Sequence, residues 1–84
     1  MQTVYILKSS KDKKLYIGCT SNFEKRLSEH NRGAVKSTKS RRPFRLVLQE
    51  EYSDKYEAFR KERYYKTAKG KKEILEKITY CGIV

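Results

Sequence analysis

No apolar run in this sequence approaches the ~20 residues of a spanning helix, so a membrane-spanning helix is excluded. The opening stretch MQTVYILKSSKDKK has neither a basic leading region nor a small-residue cleavage site, and is therefore not expected to be a signal peptide. Cysteine and histidine are scarce, two Cys and one His. That excludes a disulfide framework and a Cys/His zinc cluster. Cys19 and Cys81 are expected as free thiols in a reduced, cytoplasmic setting, with their pairing as the alternative. Acidic residues are also few: ten Asp and Glu, only two of them Asp, against 21 Lys and Arg. The resulting charge of +11 works against compaction and favours a polyanionic partner. Nucleic acid is the first candidate and an anionic membrane surface the competitor.

What is present suits one small domain spanning residues 1–84, with no repeat, low-complexity tract or internal linker. Hydrophobic residues are 37% of the chain, with seven Tyr and three Phe, too many for a disordered segment. Two short β-like runs come first, Thr3–Leu7 and Leu15–Gly18, joined by a polar loop over 8–14. Burying Val4 against Ile17 and Ile6 against Leu15 would set Tyr5 directly opposite Tyr16 on the other face. Ser21-Asn22-Phe23-Glu24 has the form of a capping box, predicting a helix from Asn22 to about His30 or Asn31 that stops near Gly33. Phe23 and Leu27 form its apolar seam, Arg26 and His30 its polar stripe. The basic stretch Lys36–Arg45 reads as a loop, leading to a third strand over Leu46–Glu50. Ser53 or Asp54 can cap a long helix to about Ala68, which Gly70 would break. A last short helix over Lys71–Ile78 would bury Ile74, Leu75 and Ile78. The order β-β-α-β-α-α describes an α+β fold, a three-stranded antiparallel sheet flanked by helices.

Four groups of residues can carry chemistry. Glu62 lies at i+4 from Ala58, i+3 from Phe59 and i−3 from Tyr65, on the expected inward stripe of the long helix. A carboxylate there needs a cation or hydrogen-bond donors. The helix pattern alone favours a rim carboxylate paired with a Lys or Arg; a ligand for an oxygen-preferring divalent metal is the alternative. Tyr5 and Tyr16 are ordinary packing residues unless their face also carries cations, which would let a phenol act as a base. Arg26 and His30, one turn apart, suit a phosphate brace and a proton-handling group, or simply a solvated helix face. Lys36, Lys39, Arg41, Arg42 and Arg45, with Lys61, Lys66, Lys69, Lys71 and Lys72 on the helices, fit phosphate contacts that set affinity without reading sequence. Phe44 could stack on a base or pack inward.

Val4-Tyr5-Ile6, then Tyr16-Ile17-Gly18 eleven residues after the first Tyr, then Arg26 and His30, SRRPFRLV and a helical Glu, stand in the order of the GIY-YIG nucleases. The chain resembles that family from Thr3 to about Lys72. More narrowly, it is similar to small stand-alone members related to the N-terminal nuclease module of UvrC. It departs from the family at Thr3 and Val4, where the first motif has Gly and Ile, and at Cys19 after the second. The resemblance implies Tyr5 as general base, Tyr16 as a shaping residue and Gly18 as the residue that keeps the groove clear. It further implies Arg26 at the scissile phosphate, His30 as an auxiliary proton handler and Glu62 as the ligand of Mg²⁺ or Mn²⁺. The expected function is a metal-dependent DNA endonuclease in repair or recombination, cytoplasmic or nucleoid-associated, with a partner protein for targeting. The alternative is a catalytically weak or inactive nucleic-acid-binding module on the same fold.

Overall fold

Alternating apolar residues build the first two strands, β1 (Gln2–Ser9) and β2 (Leu15–Thr20), and β3 (Phe44–Tyr52) completes an antiparallel sheet ordered β2-β1-β3. This computed structural model describes residues 1–80; the expected Cys19–Cys81 question falls on Cys81, outside the described residues. Three helices follow the expected order: α1 (Phe23–Asn31), α2 (Lys55–Tyr65) and α3 (Ala68–Tyr80). Strand alternation divides the core into two layers. Val4, Ile6, Ile17 and Val47 meet Ala58, Tyr65, Ile74 and Ile78 of α2 and α3. On the other face Tyr5, Leu7 and Phe44 meet Phe23 and Leu27 of α1, the expected seam.

The hairpin register differs from the expected one by two residues. Tyr5 opposes Gly18, Ile6 opposes Ile17 and Leu7 opposes Tyr16, so Tyr5 and Tyr16 share a face without being direct partners. The turn decides this. Ser9 is fully buried, its N–H donates to the Lys14 carbonyl at 3.0 Å, and its Oγ accepts from the Lys11 and Asp12 amides. Lys13 completes the reversal at φ +63°. A shift of two preserves the parity of the faces, which is why the aliphatics remain buried.

Other boundaries move for local reasons. Asn22, not Ser21, caps α1: its backbone is extended and its side chain accepts from the Lys25 amide at 3.2 Å. That satisfies one of the free donors of the first turn. Asp54 caps α2 as expected, accepting from the Tyr56 amide. The break after α2 comes at Lys66–Thr67, where Thr67 Oγ1 donates to the Tyr64 carbonyl and accepts from the Gly70 amide. Gly70 therefore does not end a helix. It lies inside α3, where a Cβ would collide with the Tyr64 carbonyl, so its value is close backbone approach. Phe59 and Leu75, expected inside, are 41% and 57% exposed. Ala58 and Tyr65 fill the α2 stripe, and Ile74 and Ile78 fill that of α3.

The expected loop over 36–45 is more structured than its composition suggests. A 3₁₀ turn occupies Lys39–Arg41, and β3 already begins at Phe44. The Asn31 side chain at the end of α1 accepts the Phe44 amide at 2.8 Å, and Phe44 is buried rather than available for stacking.

Candidate active site

The face of the sheet covered by α1 brings five of the expected site residues together: Tyr5, Tyr16, Gly18, Arg26 and His30. β1 carries Tyr5 at the bottom of the layer, and its phenol lies over Gly18 on the neighbouring strand. A Cβ at Gly18 would run into the Tyr5 hydroxyl end of the ring, which gives this glycine a steric reason to be glycine. Tyr16 stands beside Tyr5 with ring centres 6.3 Å apart, and its ring meets the His30 imidazole edge-on at 4.8 Å. His30 is the surprise of the helix. Placed one turn after Arg26 on an expected polar stripe, it is fully buried.

Both imidazole nitrogens have partners. Nε2 lies 3.1 Å from the Tyr5 hydroxyl and Nδ1 lies 2.8 Å from Thr38 Oγ1. Thr38, also fully buried, starts the 3₁₀ turn in the basic loop. Burial, reinforced by the nearby Arg26 charge, pushes the His30 pKa below its ordinary value, so the ring is neutral at physiological pH. Burial likewise pushes Tyr5 up to about 12, with Arg26 opposing the shift and the charge of Glu62 adding to it. Tyr5 is therefore a phenol, not a phenolate, at neutral pH. Arg26 is itself held above its ordinary value, first by hydrogen bonding with Tyr5. It also reaches Glu29 at 3.4 Å and stays half-exposed, lining an open cleft with Cys19, Thr20, Asn22 and Lys25.

Glu62 arrives from the opposite layer, on α2, yet its charge acts on Tyr5 and raises the Cys19 thiol, which burial already pushes up. Its carboxylate accepts from Lys66 at 3.0 Å, the rim pairing that the helix pattern favoured. Among the described residues no three His, Cys, Asp or Glu side chains gather into a ligand cluster. A single carboxylate suits Mg²⁺ or Mn²⁺ held largely by water and substrate phosphate, and does not suit an ion caged by protein alone.

The cations sort into two groups. Lys36, Lys39 and Arg42, joined by Lys11 of the hairpin and by Ser40, line a cleft between the two loops. Arg45 opens into a neighbouring one with Lys8 and Lys13. Arg41 is committed internally: it pairs with Asp12 at 2.7 Å, donates to the Leu15 carbonyl and lies over the Phe44 ring. Lys61 is similarly committed to Glu73 and to the rings of Tyr64 and Tyr65. The hairpin lysines and Thr38 escaped the sequence reading. Nothing in a lysine-rich turn says which loop it will face, and a threonine inside a basic run carries no periodic signal of burial.

The GIY-YIG catalytic domain model matches residues 1–75, nearly the whole chain. This chain is a member of the GIY-YIG family. The UPF0213 protein of Staphylococcus haemolyticus is 52% identical to it over 65 residues, covering 76% of this chain and 78% of that protein. The UPF0213 protein of Clostridium perfringens is 48% identical over 67 residues, 79% of this chain and 71% of the relative. Among solved structures, the solution structure of a UPF0213 protein from Bacillus halodurans superposes with a TM-score of 0.57 at 35% identity. It covers 90% of this chain, and the match spans 84% of the neighbour. The protein is thus a small GIY-YIG domain of a nuclease-type family. In it Thr3 replaces the first Gly of the family name at an ordinary paired position of β1, opposite Thr20 and Glu51.

Proposed function

We propose that this GIY-YIG domain is a metal-dependent endonuclease that hydrolyses DNA phosphodiester bonds, a cytoplasmic or nucleoid-associated enzyme of repair or recombination. The observation that carries the reading is the convergence at one place of Tyr5, a neutral His30 and Arg26, with the charge of Glu62 felt at the same phenol. Arg26 braces the scissile phosphate and stabilises the charge that accumulates on it. With its pKa near 12, Tyr5 takes a proton from the attacking water only as it gives its own to His30 Nε2. The buried imidazole is the final acceptor. Tyr16 packs on the imidazole edge and keeps it in place. Glu62 would hold Mg²⁺ or Mn²⁺, which when bound neutralises the phosphate and assists the leaving oxygen. Lys36, Lys39, Arg42 and Arg45, with Lys11, grip the flanking backbone; Arg41 contributes by holding the two loops together. A separate partner protein supplies targeting.

The test is nicking of plasmid or branched DNA with Mn²⁺ against EDTA. Wild type is expected to give metal-dependent products, and Glu62→Gln to lose them while keeping its melting temperature. Unchanged nicking by Glu62→Gln would refute the metal role. The Glu62–Lys66 ion pair favours a second reading, a nucleic-acid-binding module without turnover. Binding that is salt-sensitive but metal-indifferent, with no products, would establish it.

A further inference from the structure

The mechanism above uses one nitrogen of His30; the other is held by a residue with no assigned role. Thr38 Oγ1 lies 2.8 Å from Nδ1, and both side chains are fully buried. A hydroxyl has a single hydrogen to give, and the Val35 carbonyl, 3.4 Å from Thr38 Oγ1, is an acceptor within its reach. With that hydrogen given to Val35, lone pairs face His30, and in this arrangement the Nδ1 atom carries the imidazole proton. The Nε2 lone pair is left free 3.1 Å from the Tyr5 hydroxyl. The opposite tautomer would have Nε2–H donating to Tyr5. It would hydrogen-bond equally well and could accept no proton from the phenol.

From this we infer that Thr38 is a positioning residue that fixes the His30 tautomer, and thereby the direction in which a proton leaves Tyr5. The inference rests on the proton-transfer role proposed for Tyr5. Its geometry stands independently of turnover. Thr38 is itself fixed at several points. Its N–H donates to the Val35 carbonyl at 3.1 Å, and its carbonyl accepts the Arg41 amide at 2.9 Å. The same residue therefore begins the 3₁₀ turn that carries Lys39 to its cleft and orients the imidazole at the bottom of the site.

Thr38→Val keeps the shape and removes the acceptor. A buried Nδ1–H without a partner is costly, so the imidazole is expected to move its proton to Nε2 and donate to Tyr5. Thr38→Ser keeps the hydroxyl and is expected to behave as wild type. The probe is ¹⁵N NMR of the single histidine in the purified protein, which reads which nitrogen is protonated. Nδ1 protonated in wild type and in Thr38→Ser, and Nε2 in Thr38→Val, is the expected result. Nε2 protonated in wild type would overturn the inference even if Thr38→Val failed to fold. So would an unchanged tautomer in a folded Thr38→Val. In the nicking assay, Thr38→Val should lower kcat about 10- to 100-fold, the range typical of outer-shell partners, with KM for DNA unchanged and Thr38→Ser restoring the rate. An equal rise in KM would reassign Thr38 to DNA binding and overturn the inference. Absence of nicking in wild type, with the tautomers as expected, would defeat the proposed nuclease and leave the positioning role standing.

Discussion

Each layer of this small molecule contains a buried tyrosine in a polar cluster, and the two clusters are built to different ends. Against α2 and α3, the Tyr65 hydroxyl donates to Glu50 Oε1 at 2.8 Å and lies 2.8 Å from Lys77 Nζ. Glu50 also accepts from Tyr52 at 3.0 Å and from Lys77 at 2.7 Å. Carboxylate and ammonium neutralise one another within the cluster, and Lys61 and Lys77 cover the Tyr65 ring. Against α1, Tyr5 meets a neutral imidazole, while among the described residues the ion-pair partners of Arg26 and Glu62 are Glu29 and Lys66 at the rim, Lys66 itself about half-exposed. Burial raises both tyrosines. A perturbed phenol therefore does not separate the two. The separating feature is whether its cation and acid are consumed internally. The closed cluster ties β3, α2 and α3 together; in the open one the arginine and the carboxylate are paired only at the rim, among the described residues, where a phosphate and a cation can compete for them.

The sharpest way to break this comparison is to delete each hydroxyl. Tyr5→Phe is expected to lower kcat by about 10²- to 10⁴-fold, the range for general acid–base groups, and to cost about 1–3 kcal/mol of stability because the buried His30 Nε2 loses its partner. Tyr65→Phe should leave nicking intact and cost about 1–3 kcal/mol of stability, since it takes a partner from a charged, partly buried carboxylate. Chemical denaturation and plasmid nicking on the same two variants check both. If Tyr65→Phe stopped nicking while Tyr5→Phe did not, the roles assigned to the two layers would be reversed.

The same contrast explains how much could be read from the sequence. Element order and the parity of the sheet faces follow from local alternation and helical spacing, and both were legible. Tyr5, Tyr16, Gly18, Arg26 and His30 could be named from their order along the chain, and the fold gathers them under α1; their roles, and that of Glu62, are the proposal made above. Register was not legible, because it depends on how Ser9 closes a turn. The depth of His30 and its bond to Thr38 were also hidden, since they arise when a loop eight residues downstream folds back over α1. Phe59 misled because an apolar stripe is wider than the contact it makes: Ala58 and Tyr65 occupy the seam and leave Phe59 at its edge.

Gly18→Ala tests the open cluster by a smaller step. The added methyl must displace the Tyr5 phenol, and overpacking of this kind costs about 1–3 kcal/mol. Moving the phenol also lengthens its bond to His30, so nicking should fall by more than the stability loss alone explains. A variant with normal nicking and lowered stability would show that the glycine serves packing only.

The smallest effect separates the clusters by pH. His30 lies below its ordinary value of 6.5, chiefly through burial. Between that value and the folded one, the unfolded chain binds the extra proton, so stability rises with pH across the window. The contribution is complete above 6.5 and is lost as pH falls through the folded value. Glu50 is pushed up by burial, but hydrogen bonds from Lys77, Tyr65 and Tyr52 outweigh that and leave it below its ordinary 4.5. Its contribution is complete above 4.5 and disappears only at more acid pH, as the carboxylate protonates in the fold. Urea midpoints followed downward from neutrality should therefore decline in two stages, the first removed by His30→Gln and the second reduced by Glu50→Gln, the remainder belonging to Asp12, which Arg41 holds below its ordinary value. A first stage that survives His30→Gln would mean that the imidazole is not held neutral by its burial. The open cluster would then lack the proton acceptor that distinguishes it from the closed one.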